Sequence, residues 1–145
     1  MIVLDASVWV SRLVPQDAQH AASRDWLERY LAGGGGLVAP VLLLAEAAGA
    51  ISRRTGRADL GQQVAEGLLR LPGVRIVAVD RRLGLASAHL AAELGLRGAD
   101  AVYAALAHAL DIPLVTWDEE QRARAGGAVA VYTPDTCPIP PADSS

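Results

Sequence analysis

Four acidic residues stand where their neighbours suggest chemistry. Asp5 closes the apolar run of residues 1–4, and Asp118 closes Leu114-Val115-Thr116-Trp117. Glu46 is the only ionisable side chain between Ala39 and Ser52, and Leu42, Leu43, Gly49 and Ala50, three and four positions away, are all apolar. An unpaired carboxylate in such a setting is costly or takes up a proton. Asp100 begins the very apolar stretch Ala101–Ala107. Each has a plainer reading. Asp5, Asp100 and Asp118 suit helix N-caps, and Glu46 suits a narrow exposed stripe. Together they imply more. Converging carboxylates repel and raise one another's pKa values, which cations relieve. Hard oxygen ligands suit Mg²⁺ or Mn²⁺. One or two such ions activate water and stabilise the leaving oxygen in phosphodiester cleavage. Thr116 and Asp118, one residue apart, face the same side of an extended backbone.

Alternating strands and helices position these acids. Strands are predicted at residues 1–4, 37–39, 74–79, 113–116 and 128–132, from short apolar or β-branched runs. Helices are predicted from Val8, over 17–32, from Pro40 as a first-turn residue to Arg54, and from a cap at Asp59 to Leu71. Three more follow: from a cap at Asp80 to Leu94, over 99–110, and a short one after Asp118. Strand–helix alternation implies a three-layer α/β/α sandwich around a central parallel sheet. Ligands in such folds sit beyond the carboxyl ends of the strands, where Asp5 and Asp118 fall.

The chain has 145 residues and a net charge of −3, so charge alone does not supply the attraction to phosphate that nucleic-acid binding uses. All 13 basic residues are arginine. One cysteine excludes an internal disulfide and fits a reducing cytoplasm. No signal peptide is visible, and no apolar stretch reaches the roughly 20 residues of a membrane span. A single domain over 1–133 is expected, followed by a loosely ordered, proline-rich tail over 134–145.

The motifs Ile2-Val3-Leu4-Asp5-Ala6-Ser7, Pro40-Val41-Leu42-Leu43-Leu44-Ala45-Glu46, Gly98-Ala99-Asp100-Ala101-Val102-Tyr103-Ala104-Ala105-Leu106-Ala107 and Leu114-Val115-Thr116-Trp117-Asp118 resemble the PIN-domain family. They are especially similar to the VapC-type toxins of prokaryotic toxin–antitoxin pairs. The resemblance runs from residue 2 to about 132, and its weight lies in the order and separation of four individually weak motifs. It implies an Mg²⁺- or Mn²⁺-dependent endoribonuclease with Asp5, Glu46, Asp100 and Asp118 as catalytic, metal-holding acids. Ser7 and Thr116 match the hydroxyl positions that support those acids. A homodimer and a cognate antitoxin that inserts residues into the active-site groove are implied as well.

Other residues are read structurally. Asp80 is followed at once by Arg81 and Arg82 and reads as a cap, Asp111 as a turn residue. His20, His89 and His108 share no metal-ligand spacing. Trp9 and Trp117 read as packing rather than base-stacking residues, and Tyr103, three residues after Asp100 on the site-facing side of that helix, as a packing residue. Arg12, Arg81, Arg82 and Arg97 read as solvated surface, and Cys137 has no catalytic partner. Three further functions compete. An aspartyl-phosphate phosphatase needs a second Asp two residues after the first, where Ser7 stands, and a lysine, which the chain lacks. A nucleotide-binding domain needs a glycine-rich loop after a strand, whereas Gly33–Gly36 follows a helix. A PIN-like module that binds RNA or a partner without cutting remains the alternative.

Overall fold

The structure is a computed structural model that describes residues 1–141. The end of the proline-rich tail, 142–145, lies outside the described residues. Five strands form one sheet: β1 (Ile2–Leu4), β2 (Leu37–Pro40), β3 (Val74–Val77), β4 (Leu114–Val115) and β5 (Val131–Tyr132). Their order is β3-β2-β1-β4-β5, and every pairing is parallel. The central strands β1, β2 and β4 are buried throughout, as a sheet covered on both faces requires.

Among the described residues, seven helices cover this sheet: α1 (Ala6–Leu13), α2 (His20–Ala32), α3 (Leu42–Thr55), α4 (Ala58–Arg70), α5 (Arg81–Leu94), α6 (Gly98–Leu110) and α7 (Glu119–Ala125). The chain steps from β1 to β2 to β3, then returns across β1 to β4. Right-handed crossovers place helices that serve opposite directions on opposite faces. Accordingly α1 packs on α2 and α3, and α3 on α4, while α6 packs on α5 and against β1, β2 and β4. The α/β/α sandwich expected from the alternation is therefore the fold. Its chain order reverses between β1 and β4, so the crevice for a ligand opens beyond their carboxyl ends. Among the described residues no helix is long and apolar enough to cross a membrane.

Several element boundaries differ from expectation. Pro40 does not open a helix. It is the last residue of β2, in register with Val77, and α3 begins at Leu42. Strand amides point alternately to the two neighbours, and Leu37 and Val41 donate to Gly73 and Val77 on the β3 side. The position of Pro40 therefore points to β1, where the missing N–H leaves one rung out of the ladder. The second helix starts at His20 rather than 17, because the Asp17 carboxylate accepts from the Gln19 N–H at 2.8 Å and holds a turn. Asp59 does not cap α4. It sits in the first turn, and its carboxylate binds the Arg57 side chain instead. Asp80 does cap α5, accepting from the Leu83 N–H at 2.8 Å. Beyond β5 a turn at Thr133–Thr136 lays Cys137 and Ile139 against the core. Burial pushes the Cys137 thiol up to about 11, which keeps it protonated and poorly nucleophilic at neutral pH.

Candidate active site

The pairing of β1 with β4 puts Leu4 in register with Val115, so Asp5 and Thr116 leave the sheet side by side. Asp5 is only 6% exposed. It serves as the N-cap of α1, accepting from the Ser7 N–H at 3.1 Å, and the same oxygen, Oδ2, accepts from Thr116 Oγ1 at 3.0 Å. The cap reading is thus correct for Asp5, yet its other oxygen is not consumed by either bond. The Ser7 hydroxyl lies 3.2 Å from Thr116 Oγ1 and accepts from the Trp117 N–H at 3.1 Å. Ser7 and Thr116 therefore join the ends of β1 and β4 through side chains.

Sequence reasoning missed Gln121. This side chain is 1% exposed, and its Oε1 lies 2.8 Å from Thr116 Oγ1. One hydroxyl proton cannot go to both Asp5 and Gln121. Gln121 Nε2 otherwise has no partner. Turning the amide so that Nε2 donates to Thr116 frees the threonine proton for Asp5 and satisfies the buried donor. No spacing rule would have found it, since the surrounding residues 119–125 read as a charged surface helix.

Glu46 lies near the start of α3 and is half-buried. Tyr103 Oη, from α6, donates to its Oε1 at 2.8 Å. Burial raises the Glu46 carboxyl, the Tyr103 bond pulls it partly back, and the charges of Asp5 and Asp100 raise it again. Tyr103 is itself fully buried, and burial together with the Glu46 charge moves its phenol far above the usual range. It remains a donor at any ordinary pH. The packing role expected for Tyr103 is therefore incomplete. The signal was available, since Tyr103 carries the only hydroxyl in the apolar run that follows Asp100.

Asp100 does not cap α6, whose N-cap position is Arg97. It lies in the first turn, where the helix dipole favours a carboxylate. Its pKa is raised by burial first and by Asp5 next, lowered by Arg97, and raised by Asp118. Asp118 caps α7 with Oδ1, accepting from the Gln121 N–H at 2.9 Å. Its Oδ2 accepts from Arg97 Nη2 at 3.2 Å, while Arg97 Nε lies 3.4 Å from Asp100 Oδ2. One guanidinium therefore bridges two of the four acids.

The structure thus brings Asp5, Glu46, Asp100 and Asp118 to one edge of the sheet, close enough for Asp5 and Asp100 to raise Glu46 and for Asp5 and Asp118 to raise Asp100. Among the described residues, Arg97 is the one cation paired with any of these carboxylates, and it reaches only Asp100 and Asp118. This all-oxygen, negatively charged set fits hard divalent cations. Among the described residues, however, no three acidic, histidine or cysteine side chains stand ready to hold a metal ion. The donor chemistry fits the ion, and the spacing is not yet closed around it.

The other candidates lie elsewhere. His89 and His108 are exposed, and His20 Nδ1 sits 3.0 Å from the Ser11 carbonyl oxygen. Asp111 takes the left-handed C-cap of α6 with φ 53°, a role for which aspartate is better suited than most residues. Trp9 is buried in the core, and Trp117 Nε1 donates to Ser23 Oγ at 2.7 Å. Both tryptophans pack.

A family model for the PIN domain matches residues 2–127. The chain belongs to the PIN-domain family. The PIN-domain fold recurs in solved structures of low identity. The toxin VapC20 of Mycobacterium tuberculosis, described as cleaving the sarcin–ricin loop, is 20% identical with a TM-score of 0.75, covering 89% of this chain and 97% of that one. FitAcB from Neisseria gonorrhoeae is 23% identical with a TM-score of 0.69, covering 94% of this chain and 100% of that one. VapBC2 from Rickettsia felis, bound to a fragment of its promoter DNA, is 18% identical with a TM-score of 0.68, covering 92% of this chain and 98% of that one. No curated protein matches the PIN-domain chain.

Proposed function

We propose that this PIN-domain protein is a divalent-cation-dependent endoribonuclease, the toxin of a type II toxin–antitoxin pair acting in the cytoplasm. The observation that carries the reading is the set of four carboxylates gathered beyond the ends of β1 and β4 and on α3 and α6, with Glu46 and Asp100 raised by burial and by neighbouring acids, and with Arg97 paired to two of the four. Mg²⁺ or Mn²⁺, one or two ions held by Asp5, Glu46, Asp100 and Asp118, would neutralise this charge and supply Lewis acidity toward an RNA phosphodiester.

The chain's own residues prepare that site. Thr116 and the Ser7 amide fix Asp5 through Oδ2 and leave Oδ1 directed by the rigid start of α1. Tyr103 holds Glu46 in one orientation and favours its charged form. Asp118 is fixed by its cap to α7. An acid whose pKa lies above the usual carboxylate range, as for Glu46 and Asp100, is suited to accept a proton from water during attack.

The partner reading rests on the neighbours, among them the Rickettsia felis VapBC2 complex on its promoter DNA. An apolar cavity of about 570 Å³ lies between α1, α2, α3 and α4, with Leu13, Leu31, Val64 and Leu71 in its lining. It lies apart from the acids and fits an apolar antitoxin segment. A homodimer belongs to the same reading.

The test is direct. Purified protein with Mg²⁺ or Mn²⁺ should cleave RNA, chelation should stop it, and Asp5→Asn or Asp100→Asn should abolish it. Metal-independent cleavage unaffected by both substitutions would overturn the reading. One observation favours the alternative of a PIN module that binds RNA or a partner without cutting, namely that no three acids stand preassembled. Calorimetry showing no binding of either ion would decide for it.

A further inference from the structure

We infer that Arg97 is a resident counter-cation, holding Asp100 and Asp118 together in the metal-free protein and competing with the divalent ion for their oxygens. The inference rests on the metal-dependent reading above and concerns how its site is assembled. Arg97 contacts both acids through different nitrogens, Nε to Asp100 at 3.4 Å and Nη2 to Asp118 at 3.2 Å. In each case the oxygen engaged is Oδ2. For Asp118 the other oxygen is already committed to the cap of α7. For Asp118 the oxygen outside the cap is therefore the one the guanidinium holds, and at Asp100 the guanidinium takes one oxygen of the two.

The placement of Arg97 suits displacement rather than permanent bonding. It is the N-cap residue of α6 and makes no side-chain cap, so its side chain has no part in the helix start. The side chain is 66% exposed, whereas those of Asp100 and Asp118 are 17% and 33% exposed. Asp118 is fixed by its cap and Asp100 sits on the first turn of α6, whereas the cation is free to swing into water. Asp100, Asp118 and Glu120 are the charges facing it, all negative. Among the described residues no arginine is paired with Asp5 or Glu46, although Arg53 and Arg54 line the pocket beside Glu46; the partners of these two acids are hydroxyls, a backbone amide and one another's charge. Without Arg97, Asp100 and Asp118 would repel each other across the site. With it, the site stays assembled, but at the expense of ion affinity. Arginine suits this role because its planar fork reaches two carboxylates at once.

Calorimetric titration of Mn²⁺ into the wild-type protein, Arg97→Ala and Arg97→Lys tests this. Removing a positive charge that pairs with two of the acids should tighten cation binding on the order of tenfold. Arg97→Ala should accordingly bind Mn²⁺ about tenfold more tightly, and the concentration for half-maximal RNA cleavage should fall with it. Arg97→Lys, which keeps the charge but holds one carboxylate at a time, should lie between. Binding by Arg97→Ala alone would also support competition. If wild type binds Mn²⁺ and Arg97→Ala binds it equally or more weakly, Arg97 is a structural prop and the inference is wrong, while the nuclease reading stands. If neither protein binds Mn²⁺, the metal-dependent reading fails and the inference falls with it.

Discussion

The two halves of the acidic edge manage their charge in opposite ways. In the inner half, Asp5 is buried and Glu46 half-buried, and they receive hydroxyl hydrogen bonds from Thr116 and Tyr103. In the outer half, Asp100 and Asp118 share the exposed guanidinium of Arg97. A buried neutral donor orients a carboxylate without cancelling its charge. An exposed cation cancels charge but orients loosely. The inner half is therefore built for geometry, and the outer half for adjustment.

The contrast can be broken most severely at Asp5. Asp5→Asn retains an N-cap acceptor for α1 but removes the charge from the best-ordered acid. RNA cleavage should fall by about 10²-fold or more, the scale seen when one preorganised electrostatic group is lost, with circular dichroism showing an intact fold. A residual rate within a few-fold of wild type would mean that the inner half is structural.

Tyr103→Phe should come next. It leaves a half-buried Glu46 without its donor and is expected to cost about 1–3 kcal/mol in a denaturant melt. The acid limb of the cleavage profile should also move to higher pH, because the one contact that lowers the Glu46 pKa is gone. Arg97→Ala, in the outer half, should barely move the melting transition, since its ion pairs are exposed. Equal losses from both substitutions would erase the distinction between the halves.

A smaller effect tests the charge itself. Glu46 and Asp100 both titrate above their ordinary values in the folded chain. The folded state then binds more protons than the unfolded state between the ordinary and raised values. Their contribution is full below the ordinary carboxylate range and is lost as pH rises through the raised values. Metal-free protein should therefore gain stability from these two groups in mildly acidic solution relative to neutral. Glu46→Gln should flatten that slope in parallel melts, and saturating Mn²⁺ should flatten it in the wild type. A slope unchanged in Glu46→Gln would show that the inner acid is not under strain.

The sequence made the outline of this arrangement readable because its signals are local. Apolar runs that end in an acid mark strand ends, and alternation with helices fixes the parallel sheet. The inner and outer halves were not equally legible. Glu46 stands out by its apolar neighbours within one helix turn. Its donor Tyr103 lies 57 residues away, so an aromatic in an apolar helix reads as packing until the fold is known. Asp100 lies in a first turn rather than at a cap because α6 begins at Gly98, and no pattern of residue types specifies that boundary. Gln121 was invisible because its contact with Thr116 exists only in the folded chain. Pro40 misled because proline suits a helix start and a strand end equally well, and the choice turns on which neighbour its missing amide faces.

That missing amide has an effect beyond the ladder. The register of β1 and β2 sets Leu4 against Ala39 and Asp5 against Pro40 by extension of the observed pairs. Here the two central strands have nothing further to zip together, so they part. Asp5 departs into α1, and Glu46 follows on α3. The paths of the inner acids thus diverge where the ladder runs out, at the one residue type that cannot extend it.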